Sequence, residues 1–95
     1  MTGYLLVDVT WTDEEGRRRY VQLLGPTLTA HGGEIVAADR HAEALEGDWQ
    51  PGEITVLITF PSREAALSWY HSSEYEEAQA VRACSSDSRV LVLGD

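Results

Sequence analysis

Three side chains carry the clearest capacity for proton transfer: His31, Asp8 and Tyr70. Imidazole titrates near neutral pH, which makes His31 the natural acid–base group. It closes a stripe of Tyr20, Leu24 and Leu28 at helical spacing, a placement that can aim it into a cavity between helix and sheet. The other reading is a histidine at a helix C-terminus, stabilised by the helix dipole and packed against the next strand. Asp8 stands among apolar neighbours, where a carboxylate is costly unless it is paired or hydrated. Arg82 and Arg40 are its candidate partners, and a raised pKa would make it a general base. A hydrated place at the rim of a dimer interface accounts for it equally well. Tyr70 either presents its hydroxyl to a ligand or makes a structural hydrogen bond.

A second group of residues could hold a substrate. Arg82 can grip a carboxylate through two parallel bonds, or pair with Glu74 or Glu77 on its own helix. Arg40 is a further cation. Trp49 lies on a loop near Gly47 and Gly52, where it can lid an apolar pocket or plug a partner chain. Trp69, at helical spacing from Ala65 and Ala66, reads as core and as a candidate wall of the binding site. His31, His41 and His71 lack ligand spacing and Cys84 is single, so neither a metal nor a cofactor is expected. Cys84 reads as a small buried or interfacial residue. Gly32-Gly33 is a helix stop, not a phosphate loop, and no Gly-x-Ser-x-Gly elbow occurs.

The elements that must position these groups follow from periodicity. Residues 3 to 11 alternate as a strand, with Leu5, Val7 and Val9 on one face and Tyr4, Leu6, Asp8 and Thr10 on the other. Thr12-Asp13-Glu14-Glu15 has the form of a capping box with Thr12 as cap, opening a helix that Gly32-Gly33 ends. Pro26 predicts a kink near residue 22. A second strand spans Glu34 to about Ala38, followed by a polar, turn-rich segment with a short extended piece around Ala42 to Leu45. The strongest strand is Ile54 to Phe60. Ser62 caps a second helix, Ser73-Glu74-Tyr75-Glu76 restarts it, and Arg89 to Leu93 closes the chain's sheet. This is a single domain of order β-α-β-β-α-β, the split-βαβ pattern of ferredoxin-like α+β sandwiches with an antiparallel four-stranded sheet.

In that fold the helices cover one sheet face. Here both faces carry large apolar residues, since Val90 and Val92 alternate with Leu91 and Leu93 and Leu6 and Leu57 lie opposite the helix side. A second copy of the chain is the simplest cover. The 95 residues carry 16 acids against 7 bases, a formal charge of −9 that repels phosphate backbones and anionic lipid. Neither nucleic acid nor membrane is an expected partner, and no signal peptide or membrane span is visible. One cysteine suits a reducing cytoplasm.

Three blocks of the chain resemble a known family in order and spacing. They are Ala30-His31-Gly32-Gly33, Leu45-Glu46-Gly47-Asp48-Trp49, and the stretch from Phe60-Pro61-Ser62-Arg63-Glu64-Ala65-Ala66 through Trp69-Tyr70 and Tyr75 to Arg82. The family is domain of unknown function 1330, and the resemblance spans essentially the whole chain. It implies a ferredoxin-like unit that pairs into a dimeric α/β barrel, and it implies no reaction. Relatives often carry Arg-Gly-Gly after the second strand. Ala38, Asp39 and Arg40 stand there instead, with Arg40 and His41 offering charge two residues later. The wider dimeric-barrel superfamily includes cofactor-independent monooxygenases, isomerases, lyases and cyclases. The expectation is therefore a cofactor-independent enzyme acting on a small organic molecule by proton transfer, the alternative being a non-catalytic homodimer that binds a small ligand or assists other enzymes.

Overall fold

The computed structural model describes residues 2–94. The elements run β1 (Gly3–Trp11), α1 (Glu14–Ala30), β2 (Glu34–Asp39), β3 (Ile54–Phe60), α2 (Arg63–Tyr70), α3 (Ser73–Ser85) and β4 (Ser86–Gly94). The sheet is antiparallel throughout, in the order β2-β3-β1-β4. This is the ferredoxin-like α+β architecture that the alternating pattern predicts. No helix among the described residues is long and apolar enough to cross a membrane.

Strand register sorts the side chains into two faces. Leu5 stands opposite Ile58 and Val92, and Val7 opposite Val56 and Val90, on the helix side. Asp8 stands opposite Thr55 and Arg89, and Leu6 opposite Leu57 and Leu91, on the outer side. β2 joins β3 with an irregularity between Ile35 and Ala37, so one extra residue is accommodated there.

The helix starts differ from the sequence reading by one residue. α1 is capped by Asp13, whose Oδ2 accepts from the Gly16 amide at 3.2 Å, and not by Thr12. The Thr12 amide is spent instead on the Ser85 carbonyl at 2.8 Å, a tertiary bond that local pattern cannot show. Likewise α3 is capped by Ser72, which accepts from the Tyr75 amide, and not by Ser73. Ser62 caps α2 as expected, accepting from Ala65 at 3.0 Å. α1 runs as one helix through Pro26. It ends where Gly32 takes φ +73°, letting the Gly32 and Gly33 amides return to Thr29 and Leu28.

Two further differences concern strands. The piece around Ala42 to Leu45 forms no strand, because no neighbouring strand offers it a ladder, and Leu45 lies exposed. β4 begins at Ser86 instead of Arg89, since Ser86 and Asp87 pair with Trp11 and Thr10. Pairing overrides the weak strand propensity of that polar run.

The core lies where α2 and α3 meet β1 and β3. Trp69 is fully buried between Phe60 and Tyr75, with ring centroids 5.5 and 4.0 Å away. Its indole N–H donates to Thr27 Oγ1 at 3.0 Å, which in turn donates to the Leu24 carbonyl. A buried Trp thus keeps its one polar atom satisfied. α1 packs chiefly on α3, through Gly16, where an added Cβ would collide with Ser85.

Candidate functional site

Because α1 leans on α3, it stands away from β2, and a hollow of about 200 Å³ opens between α1 and the β2–β3 half of the sheet. Val7, Val9, Val56 and Ile58 form its floor, while Tyr20 and Leu24 form a wall. Trp11, Arg17 and Arg40 complete the lining, with both arginine side chains partly in solvent. Arg17 Nε lies 3.0 Å from Glu14 Oε2, and the guanidinium holds the Glu14 carboxyl below the usual range. Arg40 lies 3.2 Å from Glu53. Ala38 also lines the hollow, so Arg40 supplies from two residues onward a charge that position 38 lacks.

Tyr20 also belongs to a buried polar chain. The hydroxyl oxygens of Tyr20 and Tyr75 are 2.8 Å apart. Arg82 Nε donates to the Tyr75 hydroxyl at 3.4 Å, and its Nη1 donates to Ser88 Oγ. Burial, reinforced by Tyr75, pushes the Tyr20 hydroxyl well above the ordinary tyrosine range. Tyr20 therefore remains a neutral donor across the physiological range.

The residues singled out by type do not gather at one place. His31 is the C-cap of α1. Its Nε2 lies 3.3 Å from Glu74 Oε1, bridging the end of α1 to the start of α3. This contact is with α3 and not with the following strand, and His31 lies away from the hollow. The Glu74 carboxyl is held below its usual range by its own backbone amide, then by the Ser73 hydroxyl and His31.

Asp8 is on the opposite side of the sheet, where its pairing differs from both candidate partners. Its Oδ2 accepts from Arg89 Nη2 at 2.6 Å, and its Oδ1 accepts from the Gly52 amide at 2.6 Å. Arg89 also donates to the Gln50 carbonyl at 2.9 Å. Asp8 is thus the buried anchor that holds the segment before β3 against the outer face. Arg40 and Arg82 are excluded as its partners by lying on the helix side.

Arg82 pairs with neither Glu74 nor Glu77; Glu77 meets Arg19 instead. Trp69 is sealed in the core. Tyr70 is part-buried beside Trp69 and His71, lining a separate small depression with Leu5 and Val92. Trp49 is half exposed over the outer face, in a shallow hollow of about 260 Å³ with Leu6, Asp8, Arg89 and Leu91. Cys84 is exposed rather than buried, because it lies on the open depression between α1 and α3. Among the described residues no group of three His, Cys, Asp or Glu side chains gathers as metal ligands would.

Sequence reasoning missed Arg89, Tyr20 and Arg17. Arg89 is directly across from Asp8 in the β1–β4 ladder, a relation visible only once that pairing is known. Tyr20 was legible as part of the helical stripe, but its hydroxyl's contact with Tyr75 joins residues 55 apart.

Comparison with known proteins gives the family and the fold. A family model described as Domain of unknown function (DUF1330) matches residues 2–95. No curated protein matches the chain. The fold is similar to a protein of unknown function from Rhodopseudomonas palustris, at 21% identity and TM-score 0.79, covering 99% of this chain and 82% of that one. It is also similar to a dimeric ferredoxin-like protein of unknown function from Jannaschia sp. CCS1, at 14% identity and TM-score 0.67 with both chains fully covered. A dimeric ferredoxin-like protein of unknown function from Thermobifida fusca YX gives 12% identity and TM-score 0.67, covering 100% of this chain and 92% of that one.

Proposed function

The chain belongs to the DUF1330 family, and from that premise we propose that it works as a homodimer in which each subunit holds one small, largely apolar molecule in the hollow between α1 and the β2–β3 half of the sheet. The observation that carries this reading is the hollow's lining: aliphatic floor, aromatic wall, and arginines only where it meets solvent. Its volume of about 200 Å³ is below the roughly 300–1,000 Å³ of pockets for drug-sized ligands, so the occupant is small. The depressions beside α1 and α3 and along residues 42–55 are larger but more open to solvent.

The dimer joins the outer sheet faces, as in a dimeric α/β barrel. Leu91 and Leu93 are 51% and 43% exposed there, beside Leu6, Leu57 and Trp49, an apolar surface that a single chain leaves in water. Relatives of the same fold described as dimeric support this arrangement. A net charge of −9 disfavours nucleic acid as a partner, and a single cysteine fits a reducing cytoplasm.

Binding is favoured over proton-transfer catalysis because His31, Asp8 and Tyr70 line different parts of the molecule and none lines the hollow. The test is an amide-resolved NMR titration with indole as an apolar probe. Shifts confined to Val7, Val56, Tyr20 and their neighbours are expected, and Leu24→Trp, which fills the hollow, should abolish them. Indole shifts centred elsewhere, or none, would remove the proposal.

A further inference from the structure

The two tyrosine hydroxyls of the buried chain share a single contact, so one hydroxyl proton is left over. Arg82 is 5% exposed, and among the described residues its guanidinium forms no ion pair with a carboxylate. A guanidinium can only donate, so its contact with Tyr75 fixes the Tyr75 oxygen as acceptor. The two tyrosine hydroxyls then bring two protons to a single oxygen–oxygen contact of 2.8 Å. One proton fills that contact. The other has no acceptor among the described residues.

Position decides which proton is left over. Tyr75 is sealed against Trp69 and the Tyr20 ring, whereas Tyr20 lines the hollow. Donation from Arg82 also polarises the Tyr75 hydroxyl and strengthens it as a donor toward Tyr20. The surplus proton is therefore assigned to Tyr20, the member of the pair that lines the hollow. A buried cation without an anion is costly, and the two rim arginines are already matched by Glu14 and Glu53. What the site lacks is a negative oxygen deep in the hollow.

We infer that the occupant is a small apolar carboxylate whose anionic oxygen accepts the Tyr20 hydroxyl proton and balances the buried charge of Arg82 through the Tyr75 relay. This rests on the hollow being the ligand site. The apolar body of such a molecule lies on Val7, Val56 and Ile58, and the rim arginines steer it inward without holding it.

The experiment compares benzoate with its neutral isostere benzamide on the full chain, each titrated by NMR with indole as the reference probe. Benzoate is expected to bind about tenfold or more tightly than benzamide, as a hydrogen bond to a charged acceptor allows. Tyr20→Phe keeps the ring wall and deletes the proton; it should bring the two probes to near-equal affinity while indole binding is retained. Tyr75→Phe breaks the relay and should reduce the preference by a smaller factor. If benzamide binds as tightly as benzoate while indole still shifts the hollow, the carboxylate inference is overturned and the hollow reading survives. If no probe perturbs the hollow, the hollow reading itself is wrong and takes this inference with it. Should Tyr20→Phe fail to fold, the wild-type comparison of benzoate with benzamide decides alone.

Discussion

The two faces of the sheet are built from the same strands by alternate residues, yet they behave as different materials. On the helix face, Leu5, Val7, Val9, Ile58 and Phe60 are all buried beneath three helices. On the outer face, Leu91 and Leu93 are about half in solvent, and among the described residues the buried side chain there is Asp8. Residue type therefore does not decide burial; cover does. Helices cover the first face with apolar side chains, whereas residues 50–52 cover part of the second with backbone groups that bond Asp8 and Arg89. The same contrast recurs within the helix face: Trp69 and Tyr75 of α2 and α3 are sealed against Phe60, and the end near β2 is left hollow because α1 follows α3.

The most forceful way to break this comparison is to empty the packed side. Trp69→Ala should cost about 3–5 kcal/mol of stability in urea denaturation, whereas Trp49→Ala in a monomeric background should stay within about 0.5 kcal/mol. Similar losses for both would mean that the outer face contributes its own core. Next in size is the interface. Leu91→Asp with Leu93→Asp should raise the dimer dissociation constant by about a hundredfold or more, seen in sedimentation as monomer at micromolar concentration with helical content unchanged. A persistent dimer would place the contact on another surface.

A smaller effect should sharpen the role of Asp8. Asp8→Asn removes the anion that meets Arg89 and is expected to cost about 1–3 kcal/mol; Arg89→Ala should cost less, because the Arg89 side chain is 65% exposed. Amide exchange at Gly52 should quicken in Asp8→Asn, and unchanged exchange there would deny the anchoring role. The smallest expectation concerns pH. The Glu74 carboxyl is depressed in the fold, so its contribution is present above the ordinary glutamate value and fades as pH falls through the folded one. Carboxyl NMR titration should find Glu74 below the ordinary glutamate value. His31→Ala should move it only part of the way back, since its own amide and Ser73 act alongside the histidine.

How much of this was legible differs between fold and site. Strand alternation in Gly3–Trp11 and Ile54–Phe60 and the Gly32-Gly33 stop placed the elements, because period and backbone freedom are local properties. The caps slipped by one residue at Asp13 and Ser72, where two adjacent residues were each competent acceptors; at α1 the Thr12 amide is taken by Ser85, and at α3 the Ser73 hydroxyl is taken by Glu74. The site was less legible. His31, Asp8 and Tyr70 are plausible by chemistry, but which face a residue meets, and what stands opposite it, depends on pairing across long separations. Asp8 and Arg89 are 81 positions apart.

By itself the sequence determined the order and nature of the elements, the two-sided apolar character of the sheet and the acidic surface, all of which follow from periodicity and composition. Only the tertiary structure decided that Asp8 is an anchor and that Tyr20, Tyr75 and Arg82 form one chain beside a hollow. Those outcomes come from how far α1 stands from β2 and from which strands lie side by side. Both are fixed by packing the whole chain at once, and no local stretch encodes them.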